Sequence, residues 1–243
     1  MPAAVRTHIA MEKSDDLIVP DPDETAANPP ARPSKVRPRD PERTKAMILK
    51  AARDEFCQEG FTGARVDAIA ARAKANKRLL YHYWGNKEAL YSAVLFDAYS
   101  EIRRGERELS LGQLDPVEAV GRMVRFTFRH YLANPWFPRL LAVENLQNAR
   151  FLKQLKDIPQ LHSPLVSELK AIVERGSAAG IFRADVDPVQ LYISIAGLGY
   201  FYVSNMSTLS IIFERDLSGF AMVQEREAQA VQMVLDYLRT KPA

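Results

Sequence analysis

Between residues 62 and 84 the chain places side chains suited to gripping a polyanion. Lys77-Arg78-Leu79-Leu80-Tyr81-His82-Tyr83 follows Asn76, a residue whose side chain caps helices well. On a helix Leu80 and Trp84 share one face, which leaves Lys77, Arg78, Tyr81 and His82 on the others. Two cations beside hydroxyl and imidazole donors can pair with phosphate oxygens and with the acceptor edges of bases, the chemistry of reading a DNA major groove. Such a helix needs a platform. Just upstream, Val66, Ile69, Ala70 and Ala73 fall at i, i+3, i+4 and i+7, one apolar face of a second short helix with Asp67 in its first turn. Lys74-Ala75 is then the short turn of a helix-turn-helix over residues 62–84.

The platform is completed by a longer helix. Asp40 is placed to cap it, Pro41 suits the first helical position and Glu42 favours the positive end of the dipole. Ile48, Leu49, Ala52, Phe56 and Cys57 give its apolar face, and Gly60 stops it after Glu59. The electrostatic field points to the same segment. Residues 32–92 carry 14 basic and 7 acidic side chains, a net +7, against −4 over residues 1–31 and 0 over residues 93–243. A localised excess of Lys and Arg is what counterion release from nucleic acid requires.

Residues 1–39 are Pro-rich with little periodic apolar content, the pattern of a disordered tail. Its basic end, Arg32, Lys35, Arg37 and Arg39, is either a groove-reaching arm or a solvated linker. After residue 92 the pattern is helical throughout, broken by Pro and Gly, so the fold class is all-α with about nine helices. Three segments are expected: the tail 1–39, a DNA-binding domain 40–92 and a helical bundle 93–243. The single cysteine, Cys57, reads as core and suits a reducing compartment, hence the cytoplasm. No secretory signal is expected at the N-terminus. No charged residue occurs between Asp187 and Glu214, but residues 189–203 would span only about 22 Å as a helix against a hydrocarbon core of about 30 Å. That predicts a core or dimer helix and no membrane partner.

Gly60-Phe61, Val66-x-x-Ile69-Ala70, Asn76-Lys77, Leu80-Tyr81-His82-Tyr83-Trp84 and Asn86-Lys87-Glu88-Ala89-Leu90-Tyr91 resemble the TetR-family DNA-binding domain over residues 41–92. The resemblance implies that the helix from Lys77 enters the major groove. It implies that Tyr81, Tyr83 and Lys87 hold phosphates while Lys77, Arg78 and His82 lie near bases or backbone, with Thr44, Arg65 and Asn76 completing the DNA-contacting set. Two positions depart from the family pattern. Ala64 stands where the family has a capping Thr, so the second helix starts frayed or capped by Thr62, and Lys74 stands at a turn where the family has Gly and where φ > 0 would strain it.

Beyond residue 93 the resemblance is to the family's all-helical, ligand-binding half. Asn134-Pro135, Glu144-Asn145, Gly180-Ile181-Phe182-Arg183 and Asp187-Pro188 are similar to the subgroup that includes the pyrimidine-utilisation regulator. Aromatic and polar residues on otherwise core-facing helices are the candidates for an effector pocket: Phe126, His130, Trp136, Phe137, Glu144, Asn145, Tyr192 and Tyr200. The alternative for each is plain core or local satisfaction. The last helix has an apolar stripe, Ala228, Val231, Leu235 and Leu238, flanked by Met233, Val234 and Tyr237. With Tyr202 and Val203 of the preceding apolar helix, the residues Val231, Val234, Leu235 and Leu238 are expected at a homodimer interface. A two-fold dimer would set its recognition helices about 34 Å apart, one turn of duplex. The expected function is a ligand-responsive regulator, most simply a repressor, with double-stranded DNA, an unknown small molecule and a second copy as partners. No cofactor, metal cluster, Gly-rich phosphate loop or nucleophile elbow is visible. The competing readings are a sequence-indifferent DNA organiser and a helical enzyme or ligand carrier.

Overall fold

The computed structural model describes residues 40–239; the expected tail, its basic arm and His8 lie outside them. Nine α-helices occupy the described residues: α1 (Pro41–Gly63), α2 (Val66–Arg72), α3 (Lys77–Trp84), α4 (Lys87–Glu108), α5 (Pro116–Ala133), α6 (Trp136–Leu146), α7 (Ile158–Ala178), α8 (Pro188–Ile212) and α9 (Phe220–Leu238). Short 3₁₀ turns sit at Leu111–Gln113 and Leu152–Gln154. Five helices begin at a side-chain cap (Asp40, Asn76, Asn86, Asp115 and Asp187), and three of these have Pro in the first turn. Gly60 turns the end of α1 at φ 68°, ψ 177°, a conformation closed to side chains, and swings Phe61 back onto Phe56 and Tyr91.

Two large apolar cores and a small third one around Phe128, Tyr202 and Leu217 run through the described residues. The first joins α1, α2, α3 and the start of α4 through Ile48, Ala52, Phe56, Ile69, Leu80, Leu90 and Leu95, and extends without a break to Tyr131, Phe137, Leu140 and Phe151 of the bundle. The second lies among α5, α7, α8 and α9, built on Val120, Met123, Leu169, Ile172, Ile195 and Leu238. At residue 92 α4 runs across the expected boundary, carrying Leu90 and Tyr91 in the first core and Ile102 about 17 Å along the same helix at about 1.5 Å per residue.

The structure departs from two expectations. The apolar helix is longer than residues 189–203: α8 has 25 residues and reaches Ile212, long and apolar enough by length and composition to cross a membrane, because Ser204, Asn205, Ser207 and Thr208 continue the helix instead of ending it. Four residues expected at a dimer interface are consumed by the subunit's own interior. Val234, Leu235 and Leu238 are buried in the second core and Tyr202 is buried with its hydroxyl donating to the Leu217 carbonyl at 2.6 Å; Val203 and Val231 are half-buried. The face left open belongs to Val189, Ile193 and Phe201 of α8, spaced at four-residue steps around Gly197, and to Met233 and Tyr237 of α9.

Candidate functional site

The helix-turn-helix forms as its residues dictate. Asn76 Oδ1 accepts from the Arg78 backbone N–H at 2.8 Å and starts α3; Leu80 is buried on Ile69, Ala70 and Ala73. That leaves Lys77, Arg78, Tyr81 and His82 exposed on one short helix. Lys77 Nζ lies 2.7 Å from Asp67 Oδ1 across the turn. That hydrogen bond holds Asp67 below the usual carboxylate range and Lys77 above its ordinary value. Arg65, exposed at the start of α2, is close enough to act on both charges. Lys45 of α1 sits 5.4 Å from the centre of the Tyr83 ring, so the first turn of α1, with Thr44 hydrogen-bonded to the Asp40 carbonyl, flanks the same surface.

The two departures from the family pattern resolve differently. Thr62 does not cap α2. Arg65 occupies the cap position without a side-chain bond, and Glu55, buried on α1, accepts from the Arg65 N–H at 3.2 Å and from Arg72 Nη2 at 3.3 Å. A buried carboxylate at the positive end of the helix thus replaces the missing hydroxyl and ties α2 to α1. Lys74 takes φ 49°, the left-handed turn conformation that sequence reasoning expected to strain it. Tyr83 and Lys87 are less open than expected of phosphate contacts. Tyr83 is half-buried between His82 and Trp84, and Lys87 Nζ donates to the Thr62 carbonyl at 3.3 Å above the Phe61 ring, where burial lowers its ordinary value.

In the bundle a cleft of about 360 Å³ opens between α4, α5, α6, α7 and α8, in the range of small-molecule sites. Of the eight residues expected there, it gathers Phe137, Asn145, Tyr192 and Tyr200. Phe126 and His130 stand behind it. Gly105 of α4 lets Phe126 lie against the helix, where a Cβ would come within 2.6 Å of the ring, and the His130 ring meets Phe126 at 5.8 Å and Phe137 at 5.4 Å. Burial pushes the His130 imidazole down to about 4, so it is neutral.

Trp136 and Glu144 are not in the cleft. Trp136 is a joint between α1 and α6: Arg53 stacks on its ring at 4.0 Å and the Cys57 thiol reaches its carbonyl at 3.4 Å. Burial of Cys57 pushes its thiol up to about 11, which removes thiolate reactivity at neutral pH. Glu144 is buried because its Oε1 accepts the backbone N–H groups of Phe151 (2.9 Å) and Leu152 (2.8 Å), closing the loop after α6.

Sequence reasoning missed Tyr99, Tyr131, Leu141, His162, Ala196 and Gly197, which complete the cleft's walls. Burial raises the Tyr99 hydroxyl to about 12 and depresses His162, whose Nδ1 donates to the Ile158 carbonyl at 3.0 Å. For the rings among them, only aromatics at core spacing, a signal common to the helices here, marked the position.

Both halves of the chain have known counterparts. Residues 48–94 match the family of bacterial regulatory proteins described as the tetR family, and residues 116–234 match a tetracyclin repressor-like C-terminal domain. The HTH-type transcriptional repressor NicS of Pseudomonas putida is 38% identical over 187 residues, 77% of this chain and 88% of that protein. The HTH-type transcriptional regulator RutR of Escherichia coli is 33% identical over 160 residues, 62% of this chain and 69% of that one. Among solved structures, a TetR family transcription regulator from Marinobacter aquaeolei VT8 has the same fold, with a TM-score of 0.65 and 20% identity over 82% of this chain and 97% of its own. On these matches the chain belongs to the TetR family of DNA-binding transcriptional regulators.

Proposed function

We propose that this regulator is a cytoplasmic repressor that binds a near-palindromic operator as a homodimer and releases it when a small molecule fills the bundle cleft. The observation that carries the coupling is a shared rod. At its start α4 holds Leu90 against the core under α3, and farther along it supplies Tyr99 to the cleft wall. The α6 helix does the same from the other side, with Phe137, Leu141 and Asn145 on the cleft and Trp136 clamped to Arg53 of α1. A ligand that favours one spacing of these helices changes the tilt of α3, and only differential affinity for the two arrangements can shift DNA binding.

The open face of Val189, Ile193, Phe201, Met233 and Tyr237 suits the second copy. It is continuous across α8 and α9 and borders a shallow groove of about 540 Å³. Lys77, Arg78 and His82 face the operator's bases, with Thr44, Arg65, Asn76, Tyr81 and Tyr83 around them on the backbone. The relatives are transcriptional regulators, and we assign no catalysis to the cleft. The experiment is selection of duplexes from a random pool by purified protein at physiological salt. Enrichment of a palindrome with half-sites about one duplex turn apart supports the reading; retention of the pool without enrichment, as by a sequence-indifferent organiser, contradicts it.

A further inference from the structure

Next to the cleft lies a buried guanidinium with two donors that find no partner. Arg103 of α4 is 2% exposed. Its Nη2 donates to the Tyr192 hydroxyl at 2.8 Å, while its Nε and Nη1, both buried, have no hydrogen-bond partner. Glu106, one turn farther and equally buried, brings Oε1 to 2.9 Å from Nη2 but out of line for a hydrogen bond, and neither of its oxygens has a hydrogen-bond partner. Burial pushes the Glu106 carboxyl up to about 7 against the pull of Arg103. A buried guanidinium with empty donors is costly to a fold.

Tyr192 stands between that charge and the cleft. On its other side Arg103, Glu106, Arg107 and Glu168 border a hollow of only about 20 Å³, too small for a ligand. Tyr192 is common to both places, its ring lining the cleft and its hydroxyl resting on Arg103. The nearby imidazoles of His130 and His162 are neutral and offer no competing charge. The walls before Tyr192 are rings: Tyr99, Tyr131, Phe137 and Tyr200.

We propose that the effector is a small planar carboxylate, its ring held among these aromatic walls and its carboxylate taken by Arg103 in place of the Tyr192 hydroxyl. This deepens the reading of the cleft as the effector site and rests on it. The guanidinium fork matches a carboxylate in a bidentate pair, and the pair gains strength from the low dielectric around it. A ring bearing an amine brings a second cation to Arg103, and an amide offers one acceptor without charge.

The test compares benzoate, benzamide and benzylamine at millimolar concentration, by calorimetry on the purified full chain. Benzoate is expected to bind about tenfold more tightly than benzamide, with no binding of benzylamine. Arg103→Met should bring benzoate down to the level of benzamide, and Glu106→Gln, which removes the rival carboxylate, should tighten benzoate. If Arg103→Met does not fold, Glu106→Gln decides alone: tighter benzoate supports the proposal and unchanged or weaker benzoate overturns it. Equal affinity for benzoate and benzamide, or binding of none of the three, also overturns it. Leu141→Trp, which fills the cleft, separates the two readings. A neutral probe that binds and is lost in Leu141→Trp leaves the cleft an effector site and removes the carboxylate; benzoate binding lost in Arg103→Met but kept in Leu141→Trp places the anion site at Arg103 and removes the cleft.

Discussion

The surface of α3 and the interior around the cleft handle polar groups in opposite ways. On α3 the donors face water, and the one tight ion pair, Lys77 with Asp67, is exposed on both sides. In the bundle, Arg103, Glu106 and Glu144 are buried, and His130 is shifted far from its ordinary value. Exposed pairs contribute little and exchange partners readily, as sliding along a phosphate backbone demands. Buried groups are held in fixed geometry at a cost, which suits discrimination of one small molecule from another. The molecule therefore separates a soft electrostatic surface from a hard, preorganised one and joins them by α4.

That contrast can be broken at its stiff end first. Glu144→Ala leaves the Phe151 and Leu152 N–H groups buried without an acceptor, and thermal or denaturant unfolding should show a loss of about 3 kcal/mol; Glu144→Gln, which keeps one acceptor oxygen, should lose about 1 kcal/mol. His130 gives a pH signature of similar size. Its folded value near 4 lies below the unfolded imidazole, so its share of stability is present above pH 6.5 and is lost as pH falls from there through 4. Relative to the wild type, His130→Asn should be flatter over that window by up to about 3 kcal/mol, read from denaturant melts at a series of pH values.

At the soft end the effects are smaller and depend on salt. Arg78→Ala should cost about 1–3 kcal/mol on the selected operator and relax base preference, with little loss on random duplex. Asp67→Asn frees Lys77 from its 2.7 Å partner and should tighten all duplexes by a few fold at low salt, the gain fading as salt rises. Lys74→Gly relieves the left-handed turn and should raise stability by up to about 1 kcal/mol, checked by the shift in denaturation midpoint.

The same two regions differ in how far they could be read from sequence. The helix-turn-helix is held by contacts three or four residues apart and by caps two residues away, so Val66, Ile69, Ala70, Asn76 and Leu80 declare it. What local spacing could not reveal was the engagement of Lys87 by the Thr62 carbonyl, or Glu55 reaching ten residues forward to start α2. The cleft draws Tyr99, Tyr131, Phe137, His162 and Tyr192 from five helices, and nothing but packing brings them together. Trp136 and Glu144 looked like pocket residues because a ring and an acid on a core helix look alike whether they face a ligand, a neighbouring helix or a loop. The last helix showed both its apolar flanks in sequence. The subunit buries Leu235 and Leu238 of the stripe together with Val234 of the flank and leaves Met233 and Tyr237 open, a choice fixed by α5 packing against α9.

The central claim is that the cleft and α3 are one mechanical system, and filling the cleft without a ligand tests it most directly. Fluorescence anisotropy on the selected operator would compare the wild type with Leu141→Trp, both checked for equal helix content and dimer state. The coupling through α4 and α6 predicts operator affinity about tenfold weaker in the variant, about 1.4 kcal/mol. Equal affinity in a folded, dimeric Leu141→Trp protein would contradict it.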